Sequence, residues 1–298
     1  MKNLLSGVLF SLLVIFPFQC STIYAQQVHY TTDDSLRVMD LIEKGRQHVA
    51  SSTTAPSSNE LMLYFGTLIE QMGVPYVAHT LEPFDKERLI VNLREMDCTT
   101  FVENVTALTL CMRDKLYSFE AFCHILQKLR YVGGDVPAYT KRLHYFTQWI
   151  DDNTSMGFCR ELQGPNPPFT AEQTIYVDYM TKHSSLYRML TVNPQDIPLI
   201  TKMEKSLNGK KYRYIPINQI TNTSLLRSVV HDGDIIAIIT SFQGLDTQHI
   251  ALAKWHDDGL HILHASSVRH AVVDEPVPLQ QYLIRRKTTP GIRVVRLM

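Results

Sequence analysis

Residues 92–112 read NLREMDCTTFVENVTALTLCM. Asp97 is a side chain that caps helices by accepting from the first free N–H groups. Behind it, Cys98, Phe101, Val105, Leu108 and Met112 fall on one stripe of a helix. The spacing predicts that Cys98 faces inward from the first helical turn, at the positive end of the helix. That end favours a thiolate and offers unpaired N–H groups to an oxyanion. A cysteine on an apolar stripe is also a common core filler. The helix alone therefore admits both a nucleophile and a packed thiol.

The chain around this helix divides in two. The first two thirds read mainly as helix: 31–49 with Leu36, Met39 and Ile42 inward and Gly45 as a stop; 59–72, ended by Gly73 and Pro75; 98–112; 118–131, ended by Gly133–Gly134; 170–190; and 195–207. Residues 153–169 read as a Pro/Gly-rich connection. The last third changes period. DIIAIIT (234–240), HIALAKW (249–255), LHILHA (260–265) and IRVVRLM (292–298) read as closely spaced strands, with turns at Asp232–Gly233 and Asp258–Gly259. Helices followed by an antiparallel sheet predict an α+β fold. There is no internal repeat.

Of 12 histidines, five lie between 249 and 270. His249 shares a strand face with Ala251 and Ala253. Two alanines would let the Cys98 helix approach that face and bring thiol and imidazole together. His264 ends the next strand. His261 and His264 point to opposite faces, and no HExxH, CxxC or neighbouring carboxylate pattern accompanies them. No metal site is therefore expected, and His256, His261 and His270 read as solvated or structural.

The whole chain has 298 residues, 45% hydrophobic and 19% charged, with net charge zero. That suits a globular protein and offers nothing to attract nucleic acid. Lys2, the apolar run Leu4–Phe18 and small residues up to Ala25 read as a secretory signal peptide, 1–25, cleaved near Ala25. Bulky residues before Cys20 speak against a lipoprotein, and the run is short for a membrane anchor. The expectation is an exported protein, periplasmic or secreted, with no stable membrane span. Residues 26–298 then form a single domain. Cys98, Cys111, Cys123 and Cys159 are too few for a disulfide scaffold, although a Cys111–Cys123 bridge stays open.

Three segments, taken in order, resemble the NlpC-type cell-wall cysteine peptidases, which are papain-like. They are GVPYV (73–77), DCTTF (97–101) and HIALAKWHDDGLHILHASS (249–267). The resemblance implies a papain-like core with Cys98 as nucleophile, His249 as base, His264 as the residue that orients it, and Tyr76 near the oxyanion. It needs no cofactor. The second Thr of DCTTF departs from relatives that carry Gly, and an insert of about 113–230, read as helical, is larger than ordinary endopeptidase members have. That insert, with TLE (80–82) and GLDTQHIAL (244–252), is similar to a narrower branch of N-acetylmuramoyl-L-alanine amidases, formerly a domain of unknown function.

The branch resemblance implies cleavage between the lactyl carbonyl of muramic acid and L-alanine, in peptidoglycan fragments such as anhydromuramoyl-peptides. Cys98 would attack, its backbone N–H and Tyr76 would hold the oxyanion, and His249 would pass its proton to the leaving amine. The helix start and His249 would also depress the Cys98 pKa. Arg142, His144 and Tyr145 are candidate substrate readers. If 142, 145 and 149 lie on one helix face, Arg142, Tyr145 and Trp149 point the same way. Glu82, Asp97 and Asp246 are candidates for the same site. Two other readings remain: a γ-D-glutamyl-diamino acid endopeptidase, and a silent wall-binding module with Cys98 as core.

Overall fold

A computed structural model describes residues 28–298. The segment 1–25 read as a signal peptide lies outside these residues. The first helix, α1 (Thr32–Ser51), opens on a capping box in which Thr31 accepts from Asp34 N–H and the Asp34 carboxylate accepts from Thr31 N–H. Two expectations for it are corrected. Leu36 and Met39 are exposed, and the buried face is Val38, Leu41, Ile42 and Gly45. Gly45 does not stop the helix. A Cβ there would lie 2.6 Å from Phe65 and 2.8 Å from Met112, so the missing side chain is what lets neighbouring helices pack this closely.

Helix α2 (Ser58–Gln71) is capped by the Ser57–Glu60 pair, and α3 (Cys98–Arg113) follows the segment that carries Tyr76. The expected single inward stripe of α3 is also corrected. Every residue from Thr100 to Met112 is buried, because α1, α2 and α4 (Phe119–Arg130) surround it on one side and the sheet backs it on the other. A helix buried all round is central to its fold. Helix α5 (Phe146–Ser155) is followed by five more: α6 (Tyr179–Lys182), α7 (Arg188–Val192), α8 (Ile197–Leu207), α9 (Ser224–Val229) and α10 (Leu279–Ile284).

Strands β1 (Val28–His29) and β2 (Leu89–Ile90) form a small parallel pair. The main sheet has eight strands: β3 (Cys159–Leu162), β4 (Ala171–Thr174), β5 (Lys211–Pro216), β6 (Ile235–Ile239), β7 (Thr247–His256), β8 (Gly259–Ser266), β9 (Ala271–Asp274) and β10 (Gly291–Leu297). Its order is β4-β5-β10-β6-β7-β8-β9, with β3 also paired to β10, and its pairings are antiparallel. The fold is α+β.

Three of these strands lie within 113–230, so that insert is not simply helical. The expected helix 170–190 is broken into β4, α6 and α7; alternate residues of β4 are more exposed, the signature of a strand lying across a surface. The connection 153–169 contains β3.

The two faces of the sheet meet different partners. Ile250, Leu252, Leu263 and Ala265 pack with α1–α4. Ala251 and Ala253 pack with Leu279 and Leu283 of α10 instead. The alanines therefore do not receive the Cys98 helix, as the sequence reading had allowed. Among the described residues, no helix is long and apolar enough to cross a membrane.

Candidate active site

The site begins where a helix meets a split in the sheet. Asp97 accepts from Thr100 N–H at 2.8 Å, and Thr100 Oγ1 accepts from Asp97 N–H at 2.9 Å. This reciprocal cap fixes the start of α3. It gives the second threonine of DCTTF a role and occupies Asp97, which does not line the cavity described below. Phe101 N–H goes to Asp97 O. The uncapped N–H groups of the first turn are those of Cys98 and Thr99.

Pairing between β7 and β8 runs from His256↔Gly259 to Leu252↔Leu263 and ends there. His249 and His264 lie just past the last pair. Beyond it, His249 Nε2 and His264 Nδ1 stand 2.6 Å apart. Cys98 and His249 line one cavity. Its other wall comes from the 113–230 segment, through Leu143, His144, Tyr145, Phe146, Trp149, Met180 and Tyr187. Leu245 to Gln248 line it as well.

Cys98 as a residue is half-buried, but the surroundings of its sulfur do not favour the thiolate. Burial pushes the Cys98 pKa up to about 12 and the Asp97 carboxylate adds to the rise; the Ile250 N–H and the Thr99 hydroxyl and N–H oppose it only in part. The expected depressed pKa is thus reversed, and the reason is desolvation beside an acidic cap. Burial also holds the His249 ring well below its usual range, with His264 and Arg286 adding to the effect. The resting pair is a neutral thiol and a neutral imidazole. A neutral ring is a base able to take the thiol proton as substrate arrives.

The remaining candidates separate cleanly. His144 lines the cavity and binds the Tyr139 carbonyl through Nε2 at 2.7 Å. A carbonyl only accepts, so Nε2 carries the proton and Nδ1 is left as an acceptor. Burial first, then Arg142, lowers the His144 pKa to about 3, which keeps the ring neutral. Tyr145 also lines the cavity, but its hydroxyl is engaged with Glu204 at 2.8 Å. Asp246 lines the cavity and accepts from Thr147 N–H at 2.7 Å, which caps α5 from a distant loop. Tyr76 is held by Met96 and His270 through backbone contacts; burial raises its phenol, with the nearby Cys98 and Asp97 adding.

Arg142 and Glu82 lie elsewhere. Residues 142–145 precede α5 and are not helical, so the expected shared face of Arg142, Tyr145 and Trp149 does not form. Arg142 is buried, with Nη2 2.8 Å from Glu82 and Nε 3.3 Å from Glu87. Neither Arg142 nor Glu82 lines the cavity. The four cysteines among the described residues are free thiols, so Cys111 and Cys123 are not bridged.

Residues 69–292 match a family described as AmiA-like, N-acetylmuramoyl-L-alanine amidase-like. The chain belongs to this family. A crystal structure of an N-acetylmuramoyl-L-alanine amidase from Bacteroides uniformis is similar at 38% identity and TM-score 0.74, covering 81% of this chain and 99% of that one. A Bacteroides fragilis protein described as a possible xylanase is similar at 37% identity and TM-score 0.70, covering 77% and 99%. A Legionella pneumophila protein of the DUF1460 family shares the fold at 19% identity and TM-score 0.67, covering 93% and 97%. No curated protein matches. The amidase-like family thus spans the helix that carries Cys98, both histidine strands and the segment that walls the cavity.

Proposed function

We propose that this amidase-like protein is a cysteine-dependent N-acetylmuramoyl-L-alanine amidase, built on a papain-like NlpC-type core and exported to act on peptidoglycan fragments. The observation that carries the reading is the cavity itself. One wall holds Cys98 at a helix start and His249 on a strand, with His264 bonded behind it. Cys98 attacks the lactyl carbonyl while His249 takes the thiol proton. The N–H groups of Cys98 and Thr99 are the nearest oxyanion donors, in the manner of a helix-start oxyanion hole. His249 then protonates the departing alanine amine and afterwards activates water against the thioester.

The xylanase description of one relative does not fit this cavity. Glycoside hydrolysis ordinarily needs two carboxyl groups flanking the bond. Asp246 is the one carboxylate among the lining residues, and it is already engaged with Thr147 N–H.

The test is digestion of purified muropeptides followed by mass analysis. The expected products are an intact stem peptide and a peptide-free sugar. Cleavage inside the stem peptide would instead show the γ-D-glutamyl-diamino acid endopeptidase, and no cleavage would leave a binding module.

A further inference from the structure

The histidine pair poses a question of proton placement. Burial is the main influence on His264 and lowers its pKa to about 4, against an opposing pull from Glu275. Both rings are therefore neutral near pH 7, and each carries one proton. Nitrogens 2.6 Å apart share a hydrogen, so one of His249 Nε2 and His264 Nδ1 must donate and the other accept. Only one arrangement leaves His249 Nδ1 free to accept a proton from Cys98. In it, His249 donates through Nε2–H, and His264 accepts at Nδ1 and carries its own proton on Nε2.

The group that faces His264 Nε2 is a carboxylate. Glu275 follows β9 and is buried, with Oε2 3.6 Å from this nitrogen and no other group bonded to it. Its other oxygen, Oε1, accepts from Arg269 Nη2 at 3.1 Å. Its backbone is fixed as well. Glu275 N–H donates to Ile262 O, and its carbonyl lies 2.7 Å from His261 Nδ1. A carboxylate has no proton to give, so it tolerates only a donor at Nε2. We propose that Glu275 is a positioning residue that sets the tautomers of both His264 and His249, so that His249 presents an unprotonated Nδ1 to Cys98. The inference rests on the proposed cysteine mechanism, and it extends that mechanism to a four-residue relay: Cys98, His249, His264, Glu275.

Arg269 makes the idea testable. In Glu275→Gln the side chain keeps its shape. Arg269 only donates, so it holds the amide oxygen toward itself and turns the amide NH2 toward His264 Nε2. That nitrogen must then accept. The proton moves to Nδ1, the bond to His249 reverses, and His249 Nδ1 becomes protonated and useless as a base. An inverted tautomer of this kind in a catalytic triad lowers kcat by about 10⁴-fold; acting one residue further out, loss on the order of 10²-fold is expected. Removing Arg269 as well, in E275Q/R269A, frees the amide to flip and should recover at least about tenfold over E275Q.

The experiment combines muropeptide kinetics on the three proteins with ¹⁵N NMR of the histidine rings and a thermal melt. In the wild type both rings should show Nε2–H, and in E275Q both should show Nδ1–H with the melt little changed. Wild-type rings with Nδ1–H, or an E275Q protein with unchanged tautomers, would overturn the proposal. E275Q activity within about threefold of wild type, or no recovery in the double variant, would overturn it too. The NMR readout needs no turnover, so it stands apart from the choice of substrate bond.

Discussion

Two buried polar clusters lie beside each other in this fold, and they are built on opposite terms. In one, Arg142 sits between Glu82 and Glu87, with Tyr131 donating to Glu87 at 2.8 Å and the Tyr139 ring under the guanidinium. Nearby, Arg130 pairs with Glu103 at 2.7 Å. Each carboxylate there meets a guanidinium, and the groups face one another. In the other cluster, Cys98, His249 and His144 are held neutral by burial and face a cavity. Each keeps a lone pair or proton that the protein does not use. A buried ion pair stabilises a particular geometry, whereas neutral groups with open valences can trade protons. The contrast separates a brace from the proposed reaction site more clearly than residue type does, since both clusters contain acids, bases and tyrosines.

The largest effect should follow from removing the proposed nucleophile. Cys98→Ala should lower muropeptide hydrolysis by on the order of 10³-fold or more, with the melting temperature nearly unchanged because the residue is half-buried at a helix start. Near-normal turnover would remove Cys98 from the reaction and collapse the contrast.

Arg142 tests the other side. Arg142→Ala leaves Glu82 and Glu87 without their counter-charge, and breaking a buried pair this way costs about 3–5 kcal/mol. The melting temperature should fall on the order of 10 °C, while kcat/KM of the protein still folded changes little. Calorimetry and kinetics on one preparation decide it. Unchanged stability with lost activity would make Arg142 the substrate reader that the sequence suggested.

That reversal shows what could be read along the chain and what could not. The α3 start, the strand that bears His249 and the strand that ends near His264 were legible, because capping residues and period-two runs are local signals. The partners of Arg142 were not, since Glu82 lies 60 positions away and its pairing depends on the packed fold. The stripe on α1 failed because α3 and α2 decide which face is buried. The strands β3, β4 and β5 were missed because β3 and β4 are only four residues long and all three run through polar stretches. Glu275 gives no local sign at all; only the β8–β9 pairing brings it to His264.

A smaller effect concerns pH. The His249 pKa is lowered, so the ring stays unprotonated as pH falls through the usual histidine range. The acid limb of kcat/KM should therefore lie below pH 6.5 rather than at it. A limb centred at or above 6.5 would mean that the base is a solvated histidine and that the buried pair is structural.

The smallest expected effect is none. His256, Asp258 and His261 place their ligand atoms within 4.8 Å of one another, so the hairpin does bring a carboxylate to the histidines, contrary to the sequence reading. Ring occupancy argues against a working ion there. His261 Nδ1 faces the Glu275 carbonyl at 2.7 Å and its Nε2 faces Asp258 at 2.8 Å. The carbonyl only accepts, so Nδ1 is the donor to it, and the buried ring is held inside the hairpin by contacts on both of its nitrogens. None of the three residues lines the Cys98 cavity. They clip the turn between β7 and β8, as the ion pairs around Arg142 brace the helices. EDTA should leave muropeptide turnover unchanged, and added zinc should not raise it. If chelation stopped the reaction and zinc restored it, the hairpin would belong to the site of reaction and not to the bracing of the fold.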